Sequence, residues 1–330
     1  MRDDRGALRG PIGRRLLLGA ATAALAGPAL AAYPEKPLRM IIPYVPGGTT
    51  DLLGRLVADR LGRELGQNVV VENRSGAGGI VGTEAAARSA PDGYTLLLGN
   101  LGPIALNPSL YARLPYDPEK DFAALGRLAD FPMILVVPAQ LGVNSLAELL
   151  ALARRPGSTV NFGSVGNGSV SHLAGEMLNR AAGLSMPHIP YRGGAQAYVD
   201  VLGGQVQVFF STGIEAMPHI RAGRVKALAI TSPARSPIAP ELPTMRELGF
   251  PDFDIVAWFG LLAPAGIPPE IIGQIAAGLR TVMSAEEVRK SVLDIAAEPV
   301  TDTPAEFSAL IRAEIRRWRP IIRAADVRIE

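Results

Sequence analysis

From Leu38 onward, short apolar runs alternate with longer stretches in which apolar residues recur at helical spacing. Leu38 to Val45 reads as a strand. Thr50 to Leu65 reads as a helix with Leu52, Leu53, Leu56, Val57, Leu61 and Leu65 on one side. Val69 to Val71 is a short strand, Ile80 to Ser89 a helix and Tyr94 to Leu98 a strand. Further strands are expected near Met133–Val137, Thr159–Phe162, His188–Ile189, Val206–Phe210, Val225–Ile230 and Ile255–Leu262. Helices fit between them near Leu146–Arg154, Ser171–Ala182, Ala195–Leu202 and Met217–Ala222. Strand followed by helix, many times over, predicts an α/β fold of parallel sheets covered by helices. From Pro268 to Ala325 the pattern turns helical with little strand, and Pro269, Ser284 and Thr303-Pro304 are the expected helix starts.

The first thirty-odd residues follow a different pattern. Arg14-Arg15-Leu16-Leu17-Leu18 follows a basic stretch, a small apolar run continues to Ala32, and Ala29-Leu30-Ala31 supplies a small-x-small cleavage pattern. Residues 1–31 are therefore expected to be a cleaved signal peptide of twin-arginine type, which places the mature chain in the periplasm. A membrane anchor is the competing reading. Against it, Gly27-Pro28 interrupts a run that is already short for a span of about 20 residues.

Removing that leader changes the charge picture. Lys+Arg falls from 33 to 28 and Asp+Glu from 31 to 29, so the formal net charge moves from +2 to −1. No basic surplus remains to argue for nucleic acid. With 48% hydrophobic and 19% charged residues, 330 residues suffice for two domains with full cores. The absence of cysteine excludes disulfides, thiolate metal ligands and a thiol nucleophile, and it suits an exported protein.

Four glycine-rich turns each fall between an expected strand and an expected helix. They are Pro46-Gly47-Gly48-Thr49-Thr50-Asp51, Ser75-Gly76-Ala77-Gly78-Gly79, Gly163-Ser164-Val165-Gly166-Asn167-Gly168-Ser169 and Tyr191-Arg192-Gly193-Gly194. In a parallel sheet such turns lie at the carboxyl ends of strands, where ligands bind. Glycine lets backbone approach a ligand, and the helix behind it offers N–H groups and a positive dipole end. Thr49, Thr50, Ser164, Ser169 and Ser171 add hydroxyls. Several helix N-termini aimed into one cleft make a receptor for a carboxylate; singly, each turn is equally an ordinary cap. Asp51 and Asn167 suit capping as well as ligand contact. Arg192, the one cation within the four turns, suits either an anionic ligand or a surface ion pair. His172, at a helix start, suits a cleft contact or a packing role.

Catalytic and cofactor motifs fail on spacing. In Gly76-Ala77-Gly78-Gly79-Ile80-Val81-Gly82 the third glycine of a dinucleotide fingerprint comes one place late, and the next strand ends in Leu98-Gly99-Asn100 without an acid for a ribose. No P-loop and no Gly-x-Ser-x-Gly elbow occurs. His172, His188 and His219 stand far apart in sequence, without metal-ligand spacing. No nucleophile–base pair assembles from the sequence, so no catalytic residue, metal or cofactor is expected.

Several ordered motifs together resemble the tripartite tricarboxylate transporter substrate-binding family, known as TctC-like or Bug proteins. They are the first turn, Asn73-Arg74-Ser75-Gly76-Ala77-Gly78-Gly79, Pro91-Asp92-Gly93-Tyr94-Thr95-Leu96, Gly168-Ser169-Val170-Ser171-His172-Leu173-Ala174-Gly175, Pro190-Tyr191-Arg192-Gly193-Gly194, Leu242-Pro243-Thr244-Met245 and Trp258-Phe259-Gly260-Leu261-Leu262-Ala263-Pro264. The resemblance runs from Tyr33 nearly to the C-terminus. It implies a type II periplasmic-binding-protein fold, two α/β lobes with a hinge and a ligand cleft between them. By the same analogy, residues 32–135 and 255–330 form lobe 1 and residues 136–254 lobe 2, with hinge crossings near Pro132–Pro138 and Asp254–Leu262.

The resemblance further implies a carboxylate held largely by backbone groups and waters. Gly47, Gly48, Thr49, Asp51, Ala77 and Gly78 would line the first lobe, and Ser164, Gly168, Ser169, Tyr191, Arg192 and Ser211 would face them from the second. Tyr44 and Asn100 depart from the family pattern; Asn100 is placed to read a distal polar group. The expected partners are a small carboxylate (a di- or tricarboxylate, an amino acid or an aromatic acid) and the membrane subunits of a secondary transporter, with the binding protein itself a monomer. The alternatives are a ligand-binding sensor for a signalling receptor and an α/β enzyme acting on a small acid.

Overall fold

The computed structural model describes residues 33–325 and 327–329. The expected leader, residues 1–31, lies outside them. By its contacts the chain divides between Glu35 and Lys36, and every element below belongs to the part from Lys36 onward.

The apolar run that opens the pattern becomes β1 (Leu38–Ile42), with Leu38, Met40, Ile41 and Ile42 all buried. Beyond the first glycine turn comes α1 (Thr49–Leu65), which ends on Gly66 in the left-handed region. Its buried stripe is Thr50, Leu53, Gly54, Val57, Ala58 and Leu61, while Leu52 is 44% exposed. The sequence reading placed Leu52 on the inner face. At 100° per residue it cannot share a face with Leu53, Val57 and Leu61, and small residues take the close positions instead. A Cβ on Gly54 would lie 2.4 Å from Ile42 Cδ1, so glycine lets this helix seat closely on β1 without displacing that side chain.

The first half continues through β2 (Val69–Asn73), α2 (Ile80–Ala87), β3 (Thr95–Asn100), a π-helical turn over Gly102–Leu106 and α3 (Asn107–Leu110). All six residues of β3 are buried, as a strand covered on both faces requires. Next come β4 (Phe122–Pro138), α4 (Leu146–Ala153), β5 (Phe162–Ser164), α5 (Val170–Ala182), β6 (His188–Pro190), α6 (Gly194–Gly203), β7 (Val208–Thr212), α7 (Gly213–Arg221) and β8 (Val225–Ile230). The chain then returns through β9 (Val256–Pro264) to α8 (Pro269–Ser284), α9 (Glu286–Asp294), β10 (Glu298–Pro299) and α10 (Pro304–Ala324). Thr303 and Glu306 close a capping box at the start of α10. Phe307, Ile311, Ile315, Trp318 and Ile322 bury its apolar face.

The strand order is β2-β1-β3-β9-β4-β7-β5-β6, with β8 and β10 also paired to β4. The outer strands pair in parallel, as the βα alternation predicts. The centre differs: β9 is antiparallel to both β3 and β4, and β4 is antiparallel to β7 and β8. Purely parallel sheets were expected; the sheet is mixed because β4 and β9 are long crossing strands and not members of βα units. The first part of β4, unmarked by the sequence pattern, carries two bulges in its pairing with β9, between Ala124 and Gly126 and between Arg127 and Ala129.

The partners of β4 change along its length. Phe122 to Pro132 pairs with β9, and from Met133 onward β4 pairs with β7 and β8. Thr231, fully buried, joins the two crossings at that point. Its amide donates to the Met133 carbonyl over 2.9 Å, its hydroxyl accepts from the Met133 amide over 2.8 Å, and its carbonyl accepts from the Ile255 amide over 3.1 Å. Two α/β lobes thus meet across β4 and β9.

Candidate ligand cleft

The first glycine turn is set by Asp51. Its carboxylate accepts from the Gly47 amide over 2.9 Å, from Arg55 Nε over 2.9 Å and from Asn73 Nδ2 over 2.8 Å. Asn73 also donates to the Tyr44 carbonyl over 3.1 Å, so one buried acid ties the turn after β1 to the end of β2. The Arg55 hydrogen bond is the main reason its pKa drops to about 2, helped by Gly47 and Asn73. Asp51 therefore sits behind the turn as a fixed anion. In front of it, α1 begins at Gly48 with no side-chain cap, and Thr49 and Thr50 face a cavity of about 400 Å³.

The second turn holds four successive residues at positive φ: Gly76 (144°), Ala77 (45°), Gly78 (62°) and Gly79 (90°). That run turns the chain sharply from β2 into α2 and presents Gly78 to the same cavity. A Cβ on Gly78 would stand 3.2 Å from the Tyr111 hydroxyl. Asn100, at the end of β3, accepts from Tyr44 Oη over 3.2 Å and from the Gly102 amide over 3.1 Å. Both bonds use Oδ1, which leaves the amide NH2 as the donor Asn100 presents to the cavity. Burial pushes the Tyr44 phenol up to about 12, so it remains a donor at neutral pH.

The facing wall comes from the third turn. Ser169 caps α5, accepting from the His172 amide over 3.3 Å and donating to the Gly166 carbonyl over 2.6 Å. The Gly168 amide donates to His172 Nδ1 over 3.0 Å. His172 stacks on His188 with ring centroids 3.8 Å apart and 9° between planes, and Ser164 Oγ lies 2.6 Å from His188 Nε2. Burial, reinforced by His188, pushes His172 down to about 4. The Ser164–His188 contact is a hydroxyl–imidazole pair that the sequence spacing did not reveal. Ser164 is fully buried, and neither residue lines the cavity.

Of the residues singled out from sequence, Tyr44, Thr49, Thr50, Gly78, Asn100, Asn167, Gly168, Ser169 and Ser171 line the cavity. Gly47, Gly48 and Ala77 shape the turns around it, and Asp51, Ser164 and His172 support those turns from behind. The Tyr191 hydroxyl donates to Asp200 over 2.6 Å, and Arg192 is exposed outside the cavity wall. Ser211 is buried, donating to the Thr212 carbonyl over 3.3 Å and to Glu215 over 3.4 Å.

The cavity also takes Tyr111, Asn107, Phe210, Thr212, Glu215, Phe259 and Ile329, which the sequence reading passed over. Glu215 was missed for a definite reason. Pro218 resembles the second residue of a helix and suggests a start at Met217, yet α7 begins at Gly213, directly after β7, and carries Pro218 inside it. Glu215 therefore stands in the first turn of α7, at the mouth of a β–α connection. Ile329 reaches the wall because its amide donates to the Leu110 carbonyl over 3.0 Å.

Among the described residues lining this cavity, none is Lys, Arg or His. Its polar groups are backbone, hydroxyls, amides and the Glu215 carboxylate, and the N-termini of α1 and α5 both reach it. A larger groove of about 1250 Å³ lies between the second half of α5, residues 246–254 and α10. None of the four glycine turns reaches it; within its wall Arg246 pairs with Asp254, and Arg317 pairs with Glu314 outside it. No helix among the described residues is long and apolar enough to cross a membrane.

Compared with known proteins, residues 53–327 match the model of a family described as "Tripartite tricarboxylate transporter family receptor". The chain is 39% identical over 313 residues to Protein BugT of Bordetella pertussis, covering 94% of this chain and 96% of BugT. It is similar to the solved periplasmic binding protein BugD, at TM-score 0.77 and 34% identity over 90% of this chain and all of BugD. It is likewise similar to MatC from Rhodopseudomonas palustris with bound malate, at TM-score 0.76 and 32% identity over 88% of this chain and all of MatC. The architecture is the two-lobe α/β fold of type II periplasmic binding proteins.

Proposed function

Because the chain belongs to the tripartite tricarboxylate transporter family of receptors, we propose that it is a periplasmic solute-binding protein. In this reading its cleft closes on a small carboxylate and delivers it to the membrane subunits of a tripartite tricarboxylate-type transporter. The protein acts as a monomer, exported by its twin-arginine-type leader, and performs no covalent chemistry.

The observation that carries the reading is the meeting of two helix N-termini, α1 from one lobe and α5 from the other, in one cavity without a cation. Fixed N–H dipoles from both sides neutralise a carboxylate only when the lobes are together, so the ligand favours the closed form. At about 400 Å³ the cavity lies at the small end of ligand sites. Malate in the related MatC is an acid of fitting size. The lobes are those formed by residues 32–135 with 255–330 and by 136–254, and the partner change at Pro132/Met133 beside Thr231 serves as the hinge.

The test is a thermal-shift panel of small carboxylates, with malate included, followed by small-angle scattering. A ligand at a hundred times its Kd adds about 2.7 kcal/mol and raises Tm by several degrees. Compaction on adding that ligand supports the trap. A tight carboxylate that leaves the radius of gyration unchanged would sink it.

A further inference from the structure

The cleft holds one carboxylate of its own. Glu215, half-buried in the first turn of α7, lines the cavity, and it belongs to none of the ion pairs among the described residues. Its neighbours are the hydroxyls of Ser211, 3.4 Å from Oε2, and Thr212. Its carboxyl group is pressed over the backbone of Gly194, where a Cβ would fall 2.3 Å from Oε1. Asp51, by contrast, has Arg55 beside it, and Asp130 and Asp302 share Arg127. Glu215 has the start of α6 beneath it and the cavity in front.

Resting on the carboxylate-binding reading above, we propose that Glu215 selects the ligand's second functional group. The ligand carries, besides the carboxylate held by the helix N-termini, an ammonium or amide N–H that faces Glu215. The pocket would then take amino-substituted carboxylates in preference to plain dicarboxylates. A half-buried carboxylate leaves its water poorly replaced, and a donor on the ligand, above all a cationic one, restores both the hydrogen bond and the charge balance. A second ligand carboxylate in the same place would instead meet a like charge. The rest of the lining is suited to the other end of such a molecule, since it offers N–H and NH2 donors from α1, Asn100 and α5. Burial pushes the Glu215 acid upward, and a ligand cation opposes that shift.

The experiment compares matched pairs by calorimetry at neutral pH: succinate with aspartate, succinate with 3-aminopropanoate, and glutarate with 4-aminobutyrate. Each is titrated into the wild-type protein and into Glu215→Gln, whose side chain is isosteric and uncharged. The expected result is at least a tenfold preference for the amino-bearing member of a bound pair. In Glu215→Gln that preference falls at least tenfold, while Tm without ligand stays close to wild type. Dicarboxylates bound as tightly as their amino partners, with the ratio unmoved by the substitution, would overturn the inference and leave the carboxylate reading standing. Failure of every carboxylate in the panel to bind the wild type would overturn both. Should Glu215→Gln not fold, the wild-type ratios decide the matter alone.

Discussion

The amide of Gly168 donates to Nδ1 of His172 across 3.0 Å, so the backbone of a cavity wall hangs on an unprotonated imidazole nitrogen. That bond requires the proton of the neutral ring to sit on Nε2, which faces Glu176 Oε1 at 3.8 Å, while His188 covers the flat face. Protonating Nδ1 would set two donors against each other and place a charge against a second imidazole. The folded pKa of about 4 lies below the ordinary 6.5, so the native state is the poorer proton binder between these values. Stability is therefore fully present above pH 6.5 and lost as pH falls from there towards 4. We expect Tm to drop by a few degrees between pH 7 and pH 5, with ligand affinity falling in parallel. In His172→Gln the Tm profile over that range should flatten, and a slope equal to wild type would assign the effect to other groups.

Asp51 should be the most sensitive side chain outside the cavity wall. Replacing it with Ala frees the Gly47 amide, Arg55 and Asn73 at once. The expected cost is about 1–3 kcal/mol, read by chemical denaturation, together with at least a tenfold loss of affinity. Arg55→Ala should cost less than 1 kcal/mol, because that arginine is half exposed and the other two bonds to Asp51 survive. Since its pKa is held near 2 against an ordinary 3.8, the contribution of Asp51 is present above pH 3.8 and lost as pH falls towards 2.

Gly78→Val should weaken binding more than tenfold, since it both fills the pocket and forces a branched side chain to φ of 62°. Gly223→Val separates the two effects. Gly223 has a similar φ, 65°, with nothing within 4 Å of the added Cβ, and it does not line the cavity. Both variants should lower Tm by a few degrees, and only Gly78→Val should lose ligand. Equal affinities would remove the second turn from the site.

Thr231→Val keeps the shape of a fully buried residue and deletes its hydroxyl. The Met133 amide then loses its partner at the crossing between the lobes. A loss of about 1–3 kcal/mol is expected in urea unfolding. Because the lesion lies at the crossing, scattering of the ligand-free protein should also show a changed radius of gyration. A stability loss without that change would make Thr231 a core residue only.

The glycine turns were legible in the sequence because their function is written in local residues: Gly47-Gly48, Gly76 to Gly79 and Gly166 to Gly168 need no partner to announce a turn. Helices with strong ends were legible too, as Thr303-Pro304 shows. The antiparallel centre was hidden, because the direction in which β9 meets β3 and β4 is decided by strands far apart in the chain. The bulges of β4 broke the two-residue alternation that would have marked Phe122 to Pro132 as a strand. Within the site, residues whose role is to hold another residue looked identical to residues that face the cavity. Asp51 and His172 carry nothing in sequence to say that they support the wall from behind. Glu215 and Ile329 reach the pocket through tertiary placement alone, one disguised by Pro218 and the other far beyond the last glycine turn.

Ile329 has a practical consequence for anyone purifying this protein. Its amide is bonded to Leu110, and its side chain lies where a Cβ on Gly168 would come within 2.8 Å of it, so it touches the cavity wall at both Leu110 and Gly168. An affinity tag or reporter fused behind residue 330 would begin one residue from that wall. Such a fusion would be a participant in every titration.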